Sequence, residues 1–493
     1  MLRPEVMVPD QALLSDEGRL RRTAHGLAWT RPMLAAGFFV GVLALLVRMA
    51  AAPLSNTDTY FHLRFGSEFL HHWSLRHPGS VSSYATAHWL PTQWLPEMVM
   101  ARTQEWVGLA GVAWLSGVQM VALMTTLYLV ARRWVDPLLA AVLMAAGIVA
   151  ASTGLSMRPQ VLSFLFIAIT VAAWMRTRED GRVRWWLVPM TWVWAMVHGM
   201  WPIGIGLGVV AVAGMALDRT RTRAELGKAL LVPFLSAVVA ALTPVGPGLY
   251  GAVLDVGARS QFFSEWGTPR FTTFRCLLLA VMLAAAIVLF VRRGRATWFD
   301  LAFLLTAAAC AVWSWRTVPV ASVMLVPLIA AHALPRSGQG TTTSPGRREL
   351  GLVSGAVALG LTVLAVIAPV TSGAPAQPSW VDPALSSLPV GTPVLSDWAY
   401  AGYLMWKYPG LDMVMHGYGD TYTVPELERN QAMLTLGLGW DSDVRATQAR
   451  VAVLRPTYRL AYQLEHQEGW QVVHRSPTLE MLVAPPGWPA PSS

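Results

Sequence analysis

Charge is scarce in this chain. Asp, Glu, Lys and Arg make up 13% of its 493 residues, about half the share carried by a soluble domain. Hydrophobic residues make up 54%, and there are 23 Trp. Apolar runs recur along most of the length, so the chain reads as a polytopic membrane protein and not as a soluble globule. Cysteine is nearly absent. Cys276 and Cys310 both lie in apolar runs, where small hydrophobes are expected in preference to a disulfide or a metal pair. No GxGxxG or GxxxxGK occurs, which removes support for nucleotide binding. No HExxH or similar ligand spacing occurs either. The centres of the apolar runs are nearly free of charge, and no inverted repeat of the transporter kind is visible. The net charge of +9 raises the question of nucleic acid. Its Lys and Arg fall in short clusters between apolar runs, which is the positive-inside pattern, so no nucleic-acid partner is expected.

What is present is a regular alternation. Apolar segments predict about eleven spans, at 33–53, 108–131, 136–153, 160–175, 185–198, 200–217, 229–243, 275–291, 298–313, 318–334 and 350–369. Several are short for the roughly 20 residues a span needs. About thirty polar residues precede the first span, and RMAAAP at 48–53 mimics a signal-cleavage site. So long and acidic a leader is unlike a secretory signal, so the first span reads as a retained anchor. Basic breaks gather on one side: Arg132 and Arg133, RTREDGRVR at 176–184, RTRTR at 219–223, the cluster of Arg292, Arg293 and Arg295, and PRSGQGTTTSPGRR at 335–348. They assign a cytoplasmic N-terminal segment 1–32, an inner-membrane module 33–370, and an extracytoplasmic C-terminus. The opposite breaks face outward. Two are long, 54–107 and 244–274, and loops of such length are usually functional. In the first, residues 60–73 and 92–107 mix Trp and Phe with charge, as interfacial helices do.

After residue 370 the composition turns to an ordinary globular mix. A linker, SGAPAQPS at 372–379, precedes residues that alternate between β and α patterns. VLSD at 394–397, MVMH at 413–416 and RVAVL at 450–454 read as strands. WAYAGYLMWK, PELERNQAML and YRLAYQLEHQ read as helices, and WQVVH with LEMLVA as a hairpin. The fold class is therefore membrane all-α, a helical bundle followed by a small α/β domain at 371–493.

The outward breaks collect Asp58, His62, Arg64, His88, Glu97, Arg158, His198, Glu265 and Arg316 at one depth. Ionisable groups at a membrane face are costly unless they serve a site. Three stretches carry a family resemblance. DTYFHLR at 58–64 resembles the first-loop motif of oligosaccharyltransferase catalytic subunits. FSEWGTP at 263–269 resembles their Ser-Glu motif, and SDWAYAGYL at 396–404 their Trp-Trp-Asp-Tyr-Gly motif. Order and topology match as well, so the chain resembles the GT-C superfamily of membrane glycosyltransferases. It is most similar to bacterial polytopic GT-C-like proteins without an assigned reaction. That likeness rests on Asp58, His62, Leu63 and Gly66, on QWLPE at 93–97, MRPQ at 157–160, VHG at 197–199 and TPVGPGLY at 243–250, and on EW at 265–266, Arg316 and GYLMWKYPG at 402–410.

The resemblance implies a GT-C-like bundle that moves a sugar from a polyprenyl-phosphate donor to an extracytoplasmic acceptor (glycan, lipid or protein) among membrane lipids. In that reading Asp58 and Glu265 are catalytic. Asp58 is a base or, with Glu265, a ligand of a divalent cation, Mg or Mn. His62, Arg64, Arg158, His198 and Arg316 bind donor and lipid phosphate, and Asp397, Trp398 and Tyr400 face the acceptor. A guanidinium beside Asp58 is expected to keep it ionised. Plainer roles stand beside these. Asp58 and Asp397 also suit helix caps, the arginines suit snorkelling to the headgroups, Glu265 suits a pair with Arg270, and a lone His suits a satisfied interior. The second outer loop, TGLSMRPQ, holds no carboxylate where the oligosaccharyltransferases carry an acidic motif. The rival reading is a non-catalytic transporter of lipid or polymer, or an assembly scaffold.

Overall fold

The computed structural model describes residues 11–293, 296–333 and 345–488. Parts of the leader and of two basic breaks, at 1–10, 294–295 and 334–344, lie outside them. Each predicted apolar segment lies in or on a helix. Seven helical segments among the described residues are long and apolar enough to cross a membrane: Arg31–Ala51, Leu109–Arg132, Pro137–Gly154, Gln160–Asp180, Phe274–Arg292, Trp315–Ala333 and Arg347–Thr371. Three others, Leu187–Val197, Trp201–Leu217 and Trp298–Trp313, are shorter apolar helices. The helix Arg223–Ala240 opens with a charged turn. The first helix is continuous in its backbone from Gln11 to Ala51, so no break separates the leader from the apolar run.

Local side-chain chemistry starts several of these helices, and the one capped by Thr222 begins ahead of the apolar segment expected from 229. Asp136 accepts from the Leu138 and Leu139 amides at 3.0 and 3.3 Å, with Pro137 in the first turn. Thr222 with Glu225 and Thr297 with Asp300 form reciprocal capping boxes, which satisfy amides that have no partner in the first turn. The helix Val318–Ala333 is the hub. It is apolar all round and buried continuously from Val318 to Ala330, the signature of a helix surrounded by others. Charge appears at the ends of the bundle and is paired there. Arg178 reaches Asp300 at 2.6 Å and His332 lies 3.3 Å from the same carboxylate. Arg132 meets Glu349 at 2.7 Å.

Above the bundle lie two further helices, Asp58–His71 and Trp94–Val107. The sequence suggests interfacial helices here. Instead much of their surface packs against neighbouring elements: Tyr60, Phe61, Phe65 and Met100 are buried. Gly66 is the point of closest approach. A Cβ there would sit 2.0 Å from the Glu97 carbonyl oxygen, so only glycine lets the two backbones meet.

The C-terminal unit is a five-stranded sheet: β1 Pro393–Ser396, β2 Asp412–Met413, β3 Val451–Leu454, β4 Gln471–Arg475 and β5 Glu480–Val483, in the order β2-β1-β3-β5-β4. β1 runs parallel to β2 and β3, while β3, β5 and β4 are antiparallel neighbours. The predicted hairpin is β4–β5, and WAYAGYLMWK is the helix Trp398–Lys407. MVMH shortens to Asp412–Met413 because Val414 and the residues after it turn into the loop over the site. The short helix Trp440–Ala446 has no counterpart in the sequence reading. This unit is pinned to those two helices. Gly402 faces the Thr57 carbonyl, 2.7 Å from where its Cβ would be, and Tyr60 contacts Tyr403 and Trp406 at 5.3 and 5.1 Å between ring centroids.

Gly66→Ala forces the helix pair apart and is expected to cost about 1–3 kcal/mol of stability, the range for overpacking. Gly41→Ala meets nothing within 4 Å and is expected to be neutral or slightly stabilising. Thermal unfolding of the purified proteins in detergent compares the two; equal midpoints would show that the Gly66 contact is not tight.

Candidate active site

Asp58 opens its helix directly after the polar turn Asn56–Thr57. The Asn56 side chain accepts from the Asp58 amide at 2.9 Å, which fixes where the helix begins. The next residue, Thr59, donates to the Met157 carbonyl at 3.0 Å. That bond ties the start of this helix to the turn that carries Arg158, a hundred residues on. Arg158 sits just before Pro159 and the helix Gln160–Asp180, and it is only 9% exposed. Its Nε donates to Ser156 Oγ at 3.1 Å. One nitrogen, Nη1, donates both to Asp58 Oδ2 at 2.8 Å and to Glu265 Oε1 at 2.5 Å.

Glu265 lies in a single 3-10 turn, Ser264–Trp266, held against the next outer turn by a bond from the Trp315 amide to the Gly267 carbonyl at 3.0 Å. The expected pairing with Arg270 is replaced by Arg158 and by Arg316, whose Nη1 is 3.6 Å from Glu265 Oε2. Arg316 also lies over the Trp266 ring, 5.3 Å from its centre. Behind it is His198, with Nε2 at 3.4 Å from Arg316 Nη2. The Met200 amide donates to His198 Nδ1 at 3.3 Å, and Ser163 Oγ, which accepts from Trp194 Nε1, lies 3.2 Å from the same nitrogen. Arg316 and His198 therefore stand side by side on one wall of the site.

These groups line one cavity of about 670 Å³. Asp58, His62, Arg158, His198, Glu265, Arg316 and Trp398 all reach it. Three others to which the resemblance gives a substrate role do not line it. Arg64 turns away and pairs with Glu68 at 2.8 Å, one helical turn on. Asp397 is buried and caps the helix Trp398–Lys407, accepting from the Tyr400 amide at 2.8 Å. The Tyr400 hydroxyl donates to Gln377 at 2.6 Å. His62 faces both ways: it lines the cavity, and its Nδ1 lies 2.8 Å from Glu97 in the buried layer behind. Burial pushes His62 down and Glu97 up, both toward their neutral forms.

Two lining residues were not among the candidates. Asp420 follows Tyr418 in the loop after β2, and Arg259 ends the helix Leu249–Arg259. Burial raises Asp420 above the ordinary carboxylate range, with Arg259 and then Arg316 opposing. The cavity thus carries three carboxylates, Asp58, Glu265 and Asp420, against three guanidiniums, Arg158, Arg259 and Arg316. Neither Asp420 nor Arg259 has a local sequence signal beyond its place in an outward segment.

The expected divalent cation does not fit this donor set. Among the described residues no group of three His, Cys, Asp or Glu side chains could hold a metal. Asp58 and Glu265 already share the Arg158 guanidinium. The ionisation of Asp58 also differs from the sequence expectation. Burial raises its carboxyl above the ordinary value, Arg158 pulls it down, and Glu265 pushes it up again. The guanidinium acts in the expected direction, but desolvation outweighs it. Arg158→Gln removes the lowering influence and leaves Glu265 in place, so Asp58 is expected to hold its proton to still higher pH. Carboxyl NMR titration of the protein labelled with ¹³C-Asp reads this directly. A wild-type midpoint at or below that of free Asp would show that the guanidinium outweighs burial.

No protein-family profile matches the chain, and no curated protein matches it. Solved structures do. The oligosaccharyltransferase AglB from Archaeoglobus fulgidus, in complex with an inhibitory peptide and a dolichol-phosphate, superposes with a TM-score of 0.55 at 12% identity, covering 89% of this chain and 70% of its own. The A. fulgidus oligosaccharyltransferase in complex with Zn and sulfate gives 0.53 at 12%, covering 87% and 68%. ArnT from Cupriavidus metallidurans bound to undecaprenyl phosphate gives 0.51 at 15%, covering 92% and 99%. At such identities the likeness is one of fold, and it runs nearly the length of the chain: this protein shares the fold of the AglB and ArnT structures.

Proposed function

We propose that the protein is an integral-membrane glycosyltransferase that moves a sugar from a polyprenyl-phosphate-linked donor to an extracytoplasmic acceptor. The observation that carries the reading is the convergence of Asp58, Arg158, Glu265 and Arg316 on one cavity within a GT-C fold. The neighbours in complex with dolichol-phosphate and undecaprenyl phosphate support a donor of that class.

Sugar transfer needs a base for the acceptor and positive charge for the leaving phosphate. Asp58 takes the proton of the acceptor hydroxyl as its oxygen attacks the anomeric carbon. The bond from that carbon to the phosphate oxygen breaks, and the pair of electrons leaves with the phosphate. Arg316, with His198 beside it, forms the receiving corner, since its guanidinium lines the cavity next to Glu265. Arg158 adds charge beside them. The guanidinium fork suits phosphate oxygens because it offers two parallel donors. Glu265 orients both arginines and is the second carboxylate of the catalytic pair. Arg64 is left out of the phosphate set because it pairs with Glu68 outside the cavity.

The rest of the lining fits the two substrates. Ile203, Val253, Val256 and Trp313 form an apolar side. Trp313 is 70% exposed on the outside of the bundle, which supports lipid entry from the bilayer. On the opposite side Trp398 leans on Phe263 at 5.6 Å. Its buried indole N–H has no partner, which suits a hydroxyl of sugar or acceptor. Asp397 acts through Trp398 by capping its helix. We place the site on the outer face of the inner membrane, with the N-terminus cytoplasmic, because the basic breaks fall together on the other side.

Asp58→Asn keeps size and hydrogen bonding but cannot take a proton. Transfer from purified polyprenyl-phosphate sugars is expected to fall by about 10²–10⁴-fold, the usual cost of a lost base, with little change in thermal stability. Wild-type rates in a stable variant would remove Asp58 from catalysis, and a wild type inert with every donor would favour transport or scaffolding. For orientation, a phosphatase reporter fused after Ser493 is expected to be active and a cytoplasmic reporter silent; the opposite pattern would reverse the assignment.

A further inference from the structure

We infer that the Arg158 guanidinium is the resident cation of this site, occupying the place between Asp58 and Glu265 that a divalent ion would need. The inference deepens the transferase reading of the same cavity.

Three observations lead there. The first is geometry. A single nitrogen, Nη1, bonds an oxygen of each carboxylate, at 2.8 and 2.5 Å. An ion bridging Asp58 and Glu265 through those oxygens would have to displace the guanidinium, and one using the other two oxygens would meet Arg316 at Glu265 Oε2. Displacing the guanidinium would move a side chain that is almost fully buried, anchored at Nε by Ser156, and carried on a turn pinned by Thr59 to the Met157 carbonyl. The second is donor count. Mg²⁺ and Mn²⁺ demand about six oxygen ligands in near-octahedral array. Among the described residues the site offers no third carboxylate, imidazole or thiolate grouped with these two, and the second outer loop supplies Arg158 itself. The third is charge. Asp58, Glu265 and Asp420 are matched by Arg158, Arg259 and Arg316. A dication added to this balanced set would lie against a fixed guanidinium, where like charges at contact distance repel strongly in a partly desolvated pocket.

The consequence is that charge neutralisation of the leaving group is supplied by side chains alone. It also follows that Arg158 holds the two carboxylates in register, a structural duty that a bound metal performs in other sites.

The test uses purified full-length protein in detergent and Mn²⁺ as the probe. Mn²⁺ uptake is followed by the loss of its free-ion electron paramagnetic resonance signal. Thermal unfolding is recorded with Mn²⁺, with Mg²⁺ and with EDTA. Wild type is expected to take up no stoichiometric Mn²⁺ at up to about 1 mM, the weak end of protein cation sites, and to unfold at the same temperature in all three conditions. Arg158→Asp exchanges the guanidinium for a third carboxylate; it is expected to bind a single Mn²⁺ per chain and to be stabilised by it. Arg158→Gln vacates the place without adding a ligand, and is expected to bind more weakly than Arg158→Asp but more tightly than wild type. Stoichiometric binding by wild type that disappears in Asp58→Asn would overturn the inference. So would the absence of Mn²⁺ uptake by both folded Arg158 variants. Should Arg158→Asp fail to fold, wild type against Asp58→Asn still decides. None of these measurements needs a sugar donor, so the inference and the transferase reading fail separately.

Discussion

Two carboxylates cannot both stay ionised side by side in a partly desolvated pocket unless a cation stands between them. In this protein that constraint is met by one guanidinium nitrogen shared between Asp58 and Glu265. Much of the outer architecture follows from bringing those three residues together from segments far apart in the chain. The Asn56 turn sets where the first outer helix begins, the Thr59 bond holds it to the Arg158 turn, and the Trp315–Gly267 bond brings the Glu265 loop against Arg316. Each of these ties ends on a main-chain group, so the backbone segments that carry the cavity side chains are held in place. Pre-organisation of this kind lets charged groups act without reorganising when charge develops.

The cavity is a joint between two structural layers. The helical module supplies Asp58, Arg158, His198, Glu265 and Arg316, while the C-terminal unit supplies Trp398, Tyr418 and Asp420. The joint is an aromatic wall. Phe65 stacks on Tyr418 at 4.4 Å, with Trp89 at 5.4 Å from each of them. Close aromatic packing is rigid and excludes water, which keeps the His62–Glu97 pair behind it dry and biased toward neutral forms. At the other end of the bundle, Asp300 is held by Arg178 and His332, and Glu349 by Arg132 and Tyr128. Among the described residues these ion pairs sit at the two ends of the helices, away from the apolar middle.

The sequence by itself determined the elements. Apolar runs placed each of the predicted segments in or on a helix, because burying backbone hydrogen bonds in lipid leaves the helix as the available form. Side-chain caps at Asp136, Thr222 and Thr297 fixed helix starts, since a cap acts on amides two or three residues away. Alternation in the C-terminal region located the strands and the hairpin, and the sequence reading singled out six of the eight charged or imidazole groups that line the cavity. Only the tertiary structure decided which of the candidates meet. His62 is four residues from Asp58 and shares its face, but Arg64 is six residues on, about 240° around the helix, and finds Glu68 instead. Asp397 and Tyr400 lie beside Trp398 in sequence, yet a cap turns one inward and Gln377 takes the other. Asp420 and Arg259 became site residues through the folding of two distant loops over the bundle. The balance of charge at Asp58 was decided in the same way. Proximity to an arginine is readable from a motif, whereas the desolvation that outweighs it comes from segments that meet only in three dimensions.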